Sequence, residues 1–116
     1  MPGWEEKTIG YHSDDGKFYY ECGQGNTFGP NFGINDVVGC GLVLSDMSVF
    51  FTNNGKFLGV VQCNLPEMTW YPTIGTHSRN EMVKVNFGQD PFVFQLESLI
   101  GRSSINRNDF INHLIS

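Results

Sequence analysis

A chain of 116 residues and 13.0 kDa has room for one hydrophobic core, which excludes a large enzyme barrel, a solenoid array or two complete domains. Hydrophobic residues at 40% against 16% charged suit a packed domain, and 14 glycines with five prolines favour short strands and turns over long helices. The net charge of -5 and pI of 4.9 offer no footprint for a phosphate backbone or an anionic leaflet, so neither nucleic acid nor membrane is expected as a partner.

From Ile9 to Leu96 short apolar runs alternate with turn signals at the spacing of an antiparallel sandwich or barrel. Asp14-Asp15-Gly16 is a turn between Gly10-Tyr11-His12 and Phe18-Tyr19-Tyr20. Val37 to Leu44 is nearly continuously apolar and carries Gly39 and Gly41, which predicts a central strand buried on both faces and closely approached by a neighbour. Asn54-Gly55 supplies the pair of positive-φ residues that a type I′ turn requires, so Ser48 to Val61 is predicted to be a hairpin. Met82 to Phe87 alternates, with Val83, Val85 and Phe87 expected to face inward, and Phe92, Phe94 and Leu96 repeat the pattern as one more strand. After Leu96, Gly101-Arg102-Ser103-Ser104 is a linker, and Asn108 caps an expected short helix with Phe110, Ile111, Leu114 and Ile115 as its apolar stripe.

The motifs that look chemical have plainer explanations. Gly23 to Gly29 lacks the third glycine of a phosphate loop, since Phe28 stands there, and Pro30 blocks the helix that would hold the phosphate. His12, His77 and His113 have no metal-ligand spacing, and Asp14-Asp15-Gly16 and Asn35-Asp36 lack the terminal glutamate of a calcium loop; no metal and no cofactor is expected. No nucleophile elbow is legible, and Cys40 lies in a run that should be buried, so no catalytic residue is assigned. Trp4 and Trp70 stand beside proline-containing loops and suit corner packing, with surface anchors as the alternative. Cys22, Cys40 and Cys63 are odd in number and widely spaced, which suits free thiols in a reducing cytoplasm or nucleus, and no signal-peptide or spanning segment is legible.

Seven ordered blocks resemble a SPRY domain: Pro2-Gly3-Trp4, Gly10 to Lys17, Phe28-Gly29-Pro30, Asp36 to Gly41, Phe50 to Lys56, Tyr71 to Gly75, and Val85 to Gln89. Gly10 to Lys17 and the ending Asn86 to Phe94 are most similar to the Ran-binding-protein-M subfamily. The resemblance implies an all-β, antiparallel two-sheet β-sandwich of concanavalin-like type over residues 1–96, lacking the usual N-terminal strands and therefore incomplete. Residues 97–116 are then the linker and the start of an amphipathic helix leading toward a LisH dimerisation motif. It further implies a non-catalytic module that binds a protein or peptide through loops at the sandwich edge, within a scaffold of the CTLH (GID) ubiquitin ligase. Placed by that resemblance, the binding residues are Tyr11 as an aromatic platform, with His12, Asp14, Asp15, Thr76, His77, Arg79 and Asn80 as hydrogen-bonding groups. The SPRY/SOCS-box proteins carry valine-tryptophan-glycine in the second loop, where this chain has His77-Ser78-Arg79, so their asparagine-rich ligand is not carried over. Two readings compete: a carbohydrate-binding or hydrolytic sandwich, which needs paired carboxylates or calcium, and a fragment without independent function.

Overall fold

The computed structural model describes residues 1–62 and 64–95, together with the backbone of residues 110–115. Its strands are β1 (Ile9–Tyr11), β2 (Lys17–Tyr20), β3 (Asn26–Thr27), β4 (Val38–Val43), β5 (Ser48–Asn53), β6 (Lys56–Gln62), β7 (Val85–Asn86) and β8 (Phe110–Ile115). They form two antiparallel sheets, one ordered β1-β2-β3 and one ordered β6-β5-β4-β8-β7. The all-β, two-sheet architecture expected from the turn spacing is present, and no helix long and apolar enough to cross a membrane occurs among the described residues.

The larger sheet is built around β4 and β5, whose alternation sends side chains to both of its faces. Val38, Val49 and Phe51 face the small sheet and pack with Tyr11, Val61 and Leu65; Ile9, Phe18, Tyr20, Phe28, Cys40 and Leu42 are among the partly buried residues around that cluster. On the opposite face Val43, Phe50 and Phe94 form a second cluster, with Phe57 against it. The sequence predicts Val37 to Leu44 as the doubly buried strand; the strand formed is Val38–Val43, and β5 is the element buried at every position, polar Ser48, Thr52 and Asn53 included.

The glycines of β4 make this possible. Gly41 pairs with Phe50 across the ladder, and the Phe50 ring lies over it so closely that a Cβ on Gly41 would stand 2.1 Å from Phe50 Cζ. The ring is fully buried there, with Phe57 and Phe94 at centroid distances of 5.4 and 5.9 Å. At the other end of β5 the turn is as the sequence predicts: Asn53 pairs with Lys56, and Asn54 and Gly55 take φ values of 50° and 82°. Two register shifts follow along β5 and β6, with Gly59 at φ 131°, and they bend this strand at the outer edge of the sheet.

Three sequence expectations are corrected. Between Met82 and Phe87 only Val85–Asn86 is a strand, and Val83 and Phe87 are 39% and 57% exposed rather than inward-facing. Alternation is necessary for a half-buried strand but not sufficient, since the face also needs a covering layer and a ladder partner. No strand forms across residues 92–95; Phe94 alone there is buried, as part of the second cluster, and Leu96 lies outside the described residues. The helix expected from Asn108 has its start outside the described residues, and over Phe110–Ile115 the backbone is strand β8, paired along all of β4. Six residues are marginal as an isolated helix, whereas the unpaired edge of β4 offers ladder hydrogen bonds to a β-branched, aromatic segment.

The Phe50–Gly41 contact gives a direct test. Gly41→Ala is expected to destabilise the chain by about 1–3 kcal/mol through overpacking and to lower Tm by several degrees, while Gly23→Ala, whose Cβ would meet nothing within 4 Å, leaves it near the parent. Thermal melts of the two variants beside the parent, followed by circular dichroism, check this.

Candidate functional site

The turn from His12 to Gly16 closes the β1–β2 hairpin through Gly16 N–H to the His12 carbonyl (3.1 Å) and His12 N–H to the Lys17 carbonyl (3.0 Å). Gly16 takes φ 67°, and a Cβ on it would stand 2.2 Å from the Gly29 carbonyl oxygen, so position and conformation both call for glycine. The loop after β3 braces this turn from outside. Gly29 N–H donates to the Gly16 carbonyl (2.9 Å), the Asn31 amide to the Asp14 carbonyl (2.7 Å) and Phe32 N–H to the Ser13 carbonyl (3.1 Å). A surface turn tied at three points along its length presents its side chains with little ordering left to do on binding.

Asp15 is fixed as well. Its carboxylate accepts the Tyr19 hydroxyl (2.6 Å) and the Lys17 N–H (3.0 Å), and it is held below the ordinary 3.8 chiefly by that hydroxyl. The same bond is the main reason the Tyr19 phenol is pushed up from 10.0 to about 12. His12 is buried, stacked on Tyr19 at 4.1 Å, with its Nε2 bonded to the Pro2 carbonyl at 2.8 Å. Trp4, 46% exposed, leans over the pair at 5.7 Å from His12 and 6.2 Å from Tyr19.

His12, Asp14 and Asp15 bring one ligand atom each within 4.8 Å of one another. His12 Nε2 and both Asp15 oxygens are already engaged in hydrogen bonds, which leaves Asp14 as the exposed carboxylate without a side-chain partner. The arrangement suits recognition of hydrogen-bond donors or a positive group better than a metal's closed donor set.

Tyr11 is not a surface platform. It is the last residue of β1, shares the inward face with Ile9, and is buried against Phe28, Phe32 and Phe51 at 5.3, 4.8 and 5.5 Å, with its hydroxyl donating to the Pro30 carbonyl. Burial raises its phenol above the ordinary 10.0. Cys40, on the same side of the large sheet, has a desolvated thiol pushed up to about 12, where it is no nucleophile at neutral pH.

Thr76, His77, Arg79 and Asn80 are all exposed, on a loop where His77 N–H donates to the Glu81 carboxylate (3.2 Å). No hydrogen bond joins this loop to Asp14 or Asp15 among the described residues. The two are neighbours through the N-terminal segment: Pro2 places its carbonyl against Gly10 and His12, and its ring so near Gly75 that a Cβ there would be 2.9 Å from Pro2 Cδ. Residues that the sequence reading missed are Tyr19, buried beneath the half-exposed Trp4, and Asn31 as the brace of the turn; Trp4 itself takes the surface-anchor alternative. Strand alternation carries the signal for the first exchange, since Tyr19 and Tyr11 sit on opposite faces of their hairpin and only Tyr11 faces the other sheet.

The Asp15–Tyr19 bond predicts a pH signature. Asp15 is depressed, so the bond's contribution is present above about pH 3.8 and lost as pH falls below it; Tyr19 is raised, so the contribution is complete below pH 10.0 and lost toward pH 12. In an ultraviolet titration of the phenols a late fraction near pH 12 is expected in the parent and is expected to move back toward 10.0 in Asp15→Asn. Identical titrations of the two would contradict the assignment.

The SPRY domain family model matches residues 1–90. Ran-binding protein 9 of Xenopus tropicalis is 44% identical over 100 residues, which is 86% of this chain and 18% of that protein. Ran-binding protein 10 of Danio rerio is 44% identical over 97 residues, 84% of this chain and 16% of that one. The Ran-binding protein M homolog of Arabidopsis thaliana is 42% identical over 97 residues, 84% and 21% of the two chains. A crystal structure of a human SPRY domain aligns at TM-score 0.49 and 36% identity over 53% of this chain and 41% of that one. The chain thus spans less than a quarter of the length of these curated relatives.

Proposed function

The chain belongs to the SPRY domain family, and from that premise we propose that it is a non-catalytic protein-interaction module. It binds a partner protein or peptide through the His12–Gly16 turn and the Thr76–Asn80 loop. The observation that carries this reading is the braced turn: an exposed Asp14, a fixed Asp15 and a half-exposed Trp4 on a loop tied at three points to its neighbour. In the longer relatives the name Ran-binding states a ligand for those proteins, and Ran is accordingly a first candidate here. Membership of a scaffold of the CTLH ubiquitin ligase, in cytoplasm or nucleus, is the wider setting we propose; identity to the Ran-binding proteins at 42–44% supports it.

Capture of Ran and of a displayed peptide library by the immobilised chain tests the site. The Asp14→Ala, Arg79→Ala double variant is expected to lose at least tenfold in capture with its melting temperature unchanged, because both side chains are exposed and support no buried contact. Capture that survives the double substitution would place the binding surface elsewhere. A rise in melting temperature with calcium or sugars would instead favour the carbohydrate-binding alternative.

A further inference from the structure

The turn that links β5 to β6 carries a chemical feature that peptide recognition does not use. In an Asn-Gly pair the amide nitrogen of the glycine can reach the asparagine side chain without hindrance from a following Cβ, which makes it a favoured place for loss of the side-chain amide. Asn54 is exposed and Asn54-Gly55 is the chain's one Asn-Gly pair. Yet both ends of the Asn54 amide are engaged. Its Nδ2 donates to Asp36 Oδ1 at 2.9 Å, its Oδ1 accepts the Val37 N–H at 2.9 Å, and the Asn54 backbone N–H donates to the Val37 carbonyl at 2.7 Å. Asp36 is itself held by the Gly33 N–H at 2.8 Å, and its carboxyl is kept below the ordinary 3.8 chiefly by Asn54. The side chain that must swing toward Gly55 for reaction is thus clamped toward the loop before β4.

We propose that Asn54 is a deamidation site gated by Asp36, and that its conversion releases the loop that braces the candidate binding turn. In the reaction the Gly55 nitrogen forms a bond to Asn54 Cγ and gives up its proton, while the Cγ–Nδ2 bond breaks and ammonia departs. Water then opens the resulting succinimide at either carbonyl, leaving aspartate or isoaspartate at position 54. The aspartate product sets a carboxylate where the Nδ2 donor stood, 2.9 Å from Asp36 Oδ1, so donation is replaced by repulsion between like charges. The isoaspartate product adds a methylene to the backbone and breaks the two-residue turn register. Either way the donation to Asp36 is lost; in the aspartate product the carboxylate can still accept the Val37 N–H and the backbone bond to the Val37 carbonyl is unchanged, so the release acts through Asp36 and the Gly33 N–H it holds, one anchor of a segment also tied to Tyr11, Ser13, Asp14 and Gly16.

The test is an ageing experiment on the whole chain at mildly alkaline pH, with the Asn54-containing peptide followed by mass spectrometry and isoaspartate detection. Conversion in the folded parent is expected to be slow, and about tenfold faster in Asp36→Ala, in line with loss of one charge-assisted restraint. Equal rates in the folded parent and a folded Asp36→Ala would overturn the gating. Should the variant not fold, the parent in denaturant serves the same purpose: equal conversion with and without denaturant overturns the proposal, and slower conversion in the folded chain supports it. Hydrogen exchange on Asn54→Asp reads the consequence. Faster exchange at the Gly33 amide, which Asp36 holds, is the expected result, and parent-like protection there would overturn the release of the loop.

Discussion

The Phe50 ring lying on Gly41 is the contact on which the rest of the large sheet depends. Without a side chain at position 41, the ring closes over the ladder from β5 and reaches full burial between Phe57 and Phe94. That frees the opposite faces of β4 and β5 to present Val38, Cys40, Leu42, Val49 and Phe51 to the small sheet as a single apolar layer. A ring of this size buried from solvent contributes a few kcal/mol, comparable to the whole margin of a small domain. The two clusters are therefore two sides of one constraint, since the alternation that sends Phe50 to one face fixes Phe51 on the other.

From that layer the site inherits its rigidity. Tyr11 is the link: its ring lies against Phe51 of the large sheet, and its hydroxyl is bonded to the Pro30 carbonyl of the bracing loop. The turn that begins one residue later is therefore referenced both to the core and to the loop that ties it from outside. The Asp14 carboxylate and the Arg79 loop are exposed on this frame, with Trp4 packed over His12 and Tyr19 beside them, which sets contact groups apart from the core as a binding module requires.

Local chemistry made part of this legible in the sequence. The turns at Asp14-Asp15-Gly16 and Asn54-Gly55 follow from residues whose backbone preferences are intrinsic, and both stand where the sequence places them. The two glycines of β4 pointed to a close neighbour, although not to Phe50 in particular. What depends on distant partners was not legible. Val83 and Phe87 alternate as an inward face would, but both side chains stay exposed. Phe110–Ile115 has an apolar pattern that a short helix and a strand share, and the free edge of β4 decides between them. Likewise the family resemblance places Tyr11 at the surface as a platform, whereas its parity with Ile9 puts it in the core.

Parity also explains why the working surface of the hairpin is made of different aromatics from the expected one. On β1 and β2 the residues that face the large sheet are Ile9, Tyr11, Phe18 and Tyr20, all in the first cluster. Those on the other side are Gly10, His12 and Tyr19, with Trp4 and Pro2 folded over them. No covering layer of strands lies on this outer face among the described residues, so its polar atoms are satisfied one by one: His12 by Pro2, Tyr19 by Asp15, Asp15 by Lys17. A face organised by hydrogen bonds to fixed acceptors, with one carboxylate and one indole left open, discriminates by geometry and charge rather than by apolar area. Selectivity for a partner would then reside in where its donors fall relative to Asp14 and Asp15, and the neighbouring Arg79 loop would add a constraint of opposite sign at the far side of Pro2.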